Sequence, residues 1–450
     1  MSTLLLNHAE RLVTMDETRR EIADGGLFAR DGVIEQVGAS ADLPADADEV
    51  IDLSGHVLLP GLINTHHHLY QNLTRAVPAG QNALLFDWLR ALYPIWARLR
   101  PEDIVVSTQL GLAELALSGC TLTSDHLYLY PNGSRLDDAI EAAATTGVRL
   151  LATRGSMSIG ESAGGLPPDS LVEDEDAILE DSARLIDRFH DDAPGAMVQV
   201  ALAPCSPFSV SRDLMRESAI LARDKGVRLH THLAENVEDI LYAEEHFGCR
   251  PGAYAEELGW VGEDVWHAHC VKLDGDEIDL FARSGTGVAH CPCSNMRLGS
   301  GIAPIRAMHD AGVPVGLGVD GSASNDSAHL LNEARQALLL QRVAGGADAF
   351  AVRETLELAT RGGARVLGRP DLGVLAPGYR ADAAAFDVSG IAAAGAWDPV
   401  AALVLCGPLH AAWTVVEGRV VVRGGRFVPL DERELLARHW TAVMRLLQDA

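Results

Sequence analysis

Histidines recur where apolar runs of the chain end. His66-His67-His68 closes one such run, and alternation along a strand puts His66 and His68 on one face with His67 on the other. The pattern returns in His230-Thr231-His232-Leu233-Ala234-Glu235, in His267-Ala268-His269, at His290 and, with a carboxylate instead, in Val319-Asp320-Gly321. A hydrolytic metal site needs three or four ligands, an open position for water and groups that carry protons. His66, His68, His232 and Asp320 supply a mononuclear ligand set, with Asp320 placed to bind both the ion and its water. Glu235, three residues past His232, reads as the proton shuttle, and His269 as the group that polarises the electrophile or orients hydroxide. A second, bridged metal would need a carboxylated lysine or an acid ending the fourth strand. That strand ends Ala203-Pro204-Cys205-Ser206, and the chain's two lysines, Lys225 and Lys272, lie elsewhere. One divalent ion is expected, zinc first and iron as the alternative, since nitrogen and oxygen ligands accept both. Cys205 is the one side chain at that strand end that could intrude on it.

Those residues need a scaffold that brings many strand ends together. Apolar strands are read at 57–68, 121–128, 148–154, 197–203, 227–234, 265–271, 287–291 and 313–319. Between them, segments such as 103–117, 213–223 and 330–342 carry apolar residues at helical spacing. Eight βα units imply an α/β protein built on a closed (β/α)8 TIM-like barrel, with its site at the carboxyl ends of the strands. Residues 1–59 alternate short β-like runs with turns such as Asp31-Gly32, and the same texture returns at 377–430. The expected division is a discontinuous β-sandwich domain from 1–59 and 377–430, a catalytic barrel at 60–376 and a terminal helix at 431–450. By strand alternation His230 and His267 are read as barrel-wall residues.

The 450 residues hold 36 basic and 63 acidic side chains, a net charge of −27 that repels phosphate backbones and anionic headgroups. Nucleic acid and membrane are therefore not expected partners. The amino terminus has no basic-then-apolar leader, and no apolar run approaches the roughly 20 residues of a bilayer span. A cytoplasmic enzyme is expected. Seven scattered cysteines without a C-x-x-C pair argue against disulfides and zinc ribbons. No G-x-G-x-x-G follows the first strand and no P-loop pattern occurs, so nucleotide cofactors are not expected.

The strand-end motifs resemble those of the amidohydrolase superfamily: Pro60-Gly61-Leu-Ile-Asn64-Thr-His66-x-His68, His232-Leu-Ala-Glu235, Ala268-His269, Ala289-His290-x-Pro292-x-Ser294-Asn295 and Gly318-x-Asp320-Gly321. Gly373-Val-Leu-Ala-Pro-Gly-Tyr-Arg-Ala-Asp382 resembles that family's return into its β-domain. The resemblance implies His66, His68, His232 and Asp320 as zinc ligands, Glu235 and Asp320 as proton carriers, His269 near the substrate's leaving region, and a homo-oligomer. It implies the subgroup of aminohydrolases that deaminate cyclic amidines.

His-His-His-Leu-Tyr70-Gln71-Asn-Leu-Thr-Arg-Ala, Ala203-Pro-Cys205-Ser206-Pro-Phe208 and Leu166-Pro-Pro-Asp-Ser-Leu-Val are similar to 8-oxoguanine deaminases, often grouped with hydroxyatrazine ethylaminohydrolases. The small heteroaromatic substrate implied is 8-oxoguanine, deaminated to urate and ammonia. Isocytosine, guanine, s-triazines and S-adenosylhomocysteine are the alternatives, and a catalytically silent scaffold is the reading from another class. Gln71, whose amide both donates and accepts, is the candidate reader of a ring lactam. Tyr70, Arg154, Cys205, His269 and Trp88 are further candidate ring contacts, with His126 at the end of the second strand.

Overall fold

A computed structural model describes residues 2–448. Eight parallel strands form the central sheet in chain order: Leu62–Asn64, Cys120–Leu127, Arg149–Ser156, Val198–Pro204, Leu229–Leu233, Val265–His269, Gly287–His290 and Val315–Leu317. The first and eighth meet through Thr65 N–H donating to the Leu317 carbonyl (2.8 Å) and Asp320 N–H donating to the His66 carbonyl (3.0 Å). The ring is thereby a (β/α)8 barrel, as expected. Helices cover its outside, each stopped by local chemistry. In Gly275–Ser284, for example, Asp274 and Glu277 form a reciprocal capping box, Ile278 and Phe281 face the barrel, and Gly285 at φ 76° ends the helix.

The expected first strand at 57–68 is in fact two. His56–Pro60 belongs to a second sheet, pairing with Thr3–Val13 and Ala383–Asp387, while Leu62–Asn64 opens the barrel. Gly61 makes the change of sheet possible, because a Cβ there would lie 2.2 Å from the Thr121 hydroxyl. The second sheet has nine strands, five from the amino end (Thr3–Val13, Glu21–Arg30, Val33–Ala39, Glu49–Asp52, His56–Pro60) and four from the other (Ala383–Asp387, Ala411–Val416, Arg419–Arg423, Arg426–Phe427). It closes over its own apolar core, in which Leu6, Leu12, Leu27 and Ile51 meet Leu375, Ala383 and Val415. A fully buried, two-pronged ion pair between Arg149 and Asp382, both contacts 2.9 Å, ties this sheet to the third barrel strand.

Helix Glu432–Gln448 packs Leu435, His439, Ala442 and Leu446 inward. His439 Nε2 meets Asn72 Oδ1 at 2.9 Å, and Asn72 in turn donates to the Ser107 carbonyl at 2.7 Å. The short turn Leu69–Thr74 that follows the histidine run is thus held between two helices. Among the described residues no helix is long and apolar enough to cross a membrane.

Candidate functional site

The carboxyl ends of the barrel strands gather the residues singled out above. Just beneath them Asn64 accepts from Val319 N–H (2.9 Å) and donates to Thr123 (2.9 Å), which fixes the first strand between the second and eighth. His68 Nδ1 lies 2.7 Å from the His126 carbonyl and His232 Nδ1 lies 2.6 Å from the Cys205 carbonyl. A carbonyl only accepts, so both Nδ1 atoms carry the proton and both Nε2 atoms present bare lone pairs. His66 reaches the same state by relay. His230 Nδ1 donates to the Trp266 carbonyl (3.0 Å), its Nε2 accepts from His66 Nδ1 (2.8 Å), and His66 Nε2 is left buried without a hydrogen-bond partner.

These lone pairs point at one another. His68 Nε2 and His232 Nε2 are 3.2 Å apart, and Asp320 Oδ1 is 3.3 Å from both His66 Nε2 and His68 Nε2. Four acceptors facing each other in a buried space, with no proton between them, fit a cation. Ligand bonds of about 2.0–2.1 Å arranged tetrahedrally have edges of about 3.3 Å, which is the spacing seen. His66 and His232 also share one set of ligand atoms, within 4.8 Å of one another, with His68 and His126 and another with His269 and Asp320. His126 and His269 are otherwise engaged, through His126 Nε2 to the Ala203 carbonyl and His269 Nδ1 to Asn295 Oδ1, both 2.9 Å.

The electrostatics separate the groups by role. Burial holds His66 well below the ordinary imidazole value, and burial together with neighbouring His68 and His269 brings His232 to about 3. Burial alone would raise Asp320, but His66, His269 and His68 outweigh it and hold the carboxyl well below its usual range. Its Oδ2 accepts from Ser294 (2.5 Å) and Ser324 (3.1 Å). Glu235 goes the other way: burial pushes it up to about 7 against the pull of His269. His269, which burial would lower, is raised by Glu235 and Asp320, and its Nε2 stands 3.5 Å from Glu235 Oε2. A carboxyl raised and an imidazole raised beside it make a pair able to hold and pass one proton near neutral pH. Ala234, His269, Cys270 and Asp320 adopt left-handed φ of 51°, 71°, 51° and 59°, so the backbone bends where three strands deliver these groups.

The pocket above this cluster is walled by Trp88, Tyr93, Tyr128, Phe208, Leu89 and Leu298. Of the expected ring contacts, Gln71, Cys205, His269 and Trp88 line it. Gln71 is seated against Gly321, where a Cβ would come within 1.8 Å of its Oε1. Tyr70 does not line the pocket; it is buried behind, edge-on to Trp96 and Tyr128. Arg154 is also outside it, since its guanidinium is committed to Glu173 (2.8 Å) and Asp181 (3.0 Å) and stacks over Tyr130. His267 is a wall residue, bonded to the Trp260 carbonyl and packed on Phe281. His230 is not: two residues before His232, it shares that residue's face and holds His66 from below. The strand period of two carried that signal. Asp239, Tyr93 and Phe208 were not read as pocket residues, because nothing local in the sequence marks them.

Replacing His230 with alanine leaves His66 without a partner to set its tautomer. The expected result is a 10- to 100-fold loss of metal affinity, checked by chelator competition. Unchanged affinity would mean that His66 keeps its orientation without the relay.

The model of the amidohydrolase family matches residues 57–425. The chain is 48% identical over 430 residues to an 8-oxoguanine deaminase from Pseudomonas aeruginosa, covering 94% of this chain and 95% of that protein. It is 40% identical to a hydroxydechloroatrazine ethylaminohydrolase from Pseudomonas sp. strain ADP, covering 97% and 94%. Among solved structures, an atrazine chlorohydrolase from Arthrobacter aurescens, complexed with zinc, superposes with a TM-score of 0.94 at 36% identity, covering 98% of this chain and 100% of that one.

Proposed function

Because this chain belongs to the amidohydrolase family and is a metal-dependent aminohydrolase, we propose that it deaminates 8-oxoguanine with water to urate and ammonia. The observation that supports a hydrolytic deaminase is the tetrad of facing acceptors, His66, His68, His232 and Asp320, beside the Glu235–His269 proton pair. The choice of ring rests on the likeness to the Pseudomonas 8-oxoguanine deaminase.

In this reading the tetrad holds one divalent ion, zinc by the likeness to the zinc-bound atrazine chlorohydrolase. When bound, the ion supplies the Lewis acidity that brings the pKa of water down toward 7. Asp320, steadied by Ser294 and Ser324, takes a proton from the attacking water at its carboxylate. Glu235, protonated near neutral pH because it is buried, gives its proton to the ring nitrogen next to the attacked carbon. His269, held by Asn295, stands beside Glu235 with its Nε2 3.5 Å from Glu235 Oε2, and serves to polarise the electrophile. The proton held by Asp320 passes to the exocyclic amine as its carbon–nitrogen bond breaks and ammonia leaves, the hydroxyl proton returns to Glu235, and the ring becomes a lactam. Gln71 orients the substrate's lactam edge, and the aromatic walls exclude bulk water. We also infer a cytoplasmic homo-oligomer.

The test is ammonia release by the zinc-loaded enzyme from 8-oxoguanine, guanine, isocytosine, hydroxyatrazine and S-adenosylhomocysteine. The expected result is preferential turnover of 8-oxoguanine with urate as product. Preference for another ring would replace the substrate and keep the reaction; no ammonia from any of them would overturn deamination.

A further inference from the structure

Asp239 is the third residue of helix Val237–Phe247, and half of its carboxylate has an architectural duty. Oδ2 accepts from Glu235 N–H (2.7 Å) and Asn236 N–H (3.4 Å), while Asn236 Oδ1 caps Asp239 N–H at 3.0 Å. Oδ1 has no partner at all, although it is buried and the residue lines the pocket beside Gln71, Glu235 and His269. Burial pushes the carboxyl up to about 6 against the pull of the two amides. Among the described residues no arginine or lysine lines the pocket. Its serines are committed, Ser206 to Ser209 and Ser324 to Asp320, and the Tyr93 hydroxyl is directed at Met157 Sδ. Among the described residues the pocket's unpartnered buried side-chain oxygens are Gln71 Oε1 and Asp239 Oδ1, an amide and a carboxyl oxygen.

An unmet buried carboxylate oxygen is costly, and a ligand N–H relieves that cost while a ligand lone pair adds to it. 8-Oxoguanine carries N–H on both nitrogens of its five-membered ring, so it presents a donor whichever of them faces the acceptor; guanine carries one N–H there, shared between the two nitrogens by tautomerism, and meets the acceptor only in the tautomer that puts the proton on the facing one. We propose that Asp239 determines specificity by accepting a hydrogen bond from an N–H of the five-membered ring, selecting 8-oxoguanine over guanine. This rests on the function proposed above.

Asp239→Asn tests it, since the amide oxygen still serves Glu235 N–H and an NH2 donor replaces the free acceptor. The expected result is a 10- to 100-fold fall in kcat/KM for 8-oxoguanine with guanine unchanged or improved, so that the ratio of the two falls at least tenfold. A role only in holding Glu235 lowers both substrates alike, and an unchanged ratio overturns the inference while leaving 8-oxoguanine deamination standing. A wild-type enzyme that uses guanine within tenfold of 8-oxoguanine overturns it without any variant. Failure of the wild type to deaminate 8-oxoguanine overturns both this inference and the substrate proposed above.

Discussion

Glu235→Gln lowers kcat by about a thousandfold and leaves the metal in place. Glutamine matches glutamate in shape and can still accept from Ser300, which donates to Glu235 Oε1 at 3.4 Å, so the pocket keeps its form. What it loses is the proton that burial makes available near pH 7, and the charge that raises His269. The tetrad of acceptors is untouched, because none of its four atoms bonds to Glu235. Steady-state kinetics and metal analysis on one preparation provide the check. A kcat within tenfold of wild type, with metal bound, would remove Glu235 from proton transfer.

Metal-free enzyme is expected to unfold as the pH drops from 7 to 5. Ten histidines are lowered, chiefly by burial: His66, His67, His68, His126, His230, His232, His267, His290, His329 and His439. Each holds a proton less readily in the fold than in the unfolded chain, where it titrates at about 6.5, so its contribution is lost as the pH falls below that value. Asp103, Asp125, Glu235, Asp239 and Glu333 are raised by burial and His269 is raised by its acidic neighbours; these six favour the fold as the pH falls. The lowered histidines outnumber the raised groups, so the unfolded chain takes up more protons than the folded one over this range and stability falls with the pH. Thermal melts at pH 7, 6 and 5 would show it. A melting temperature that holds steady over that range would mean the buried imidazoles take up protons without unfolding.

The barrel was legible because strand and helix periods alternate cleanly and the histidines fall where strands must end. The split at Pro60-Gly61 was not, since an unbroken apolar run from 57 hides a change of sheet. Gln71 sits three residues past His68, and its place in the pocket follows from that closeness. Arg154 shows the opposite case: a strand-end arginine resembles a ligand contact until Glu173 and Asp181, on the segments that follow, come round to neutralise it. Asp239 reads locally as an ordinary member of a helix cap, which it is. Only the barrel's closure reveals that the residue also lines the pocket with its second oxygen unpartnered.

The contact between His439 and Asn72 joins residues 367 positions apart. During synthesis the turn carrying Gln71 is made early and waits for its clamp until nearly the whole barrel has left the ribosome. The outer sheet, drawn from both flanks of the barrel, imposes the same delay. The ion site waits as well, because His66 and His68 meet His232 and Asp320 only when the barrel has closed, so neither the tetrad nor the recognition turn is complete before the chain is nearly finished.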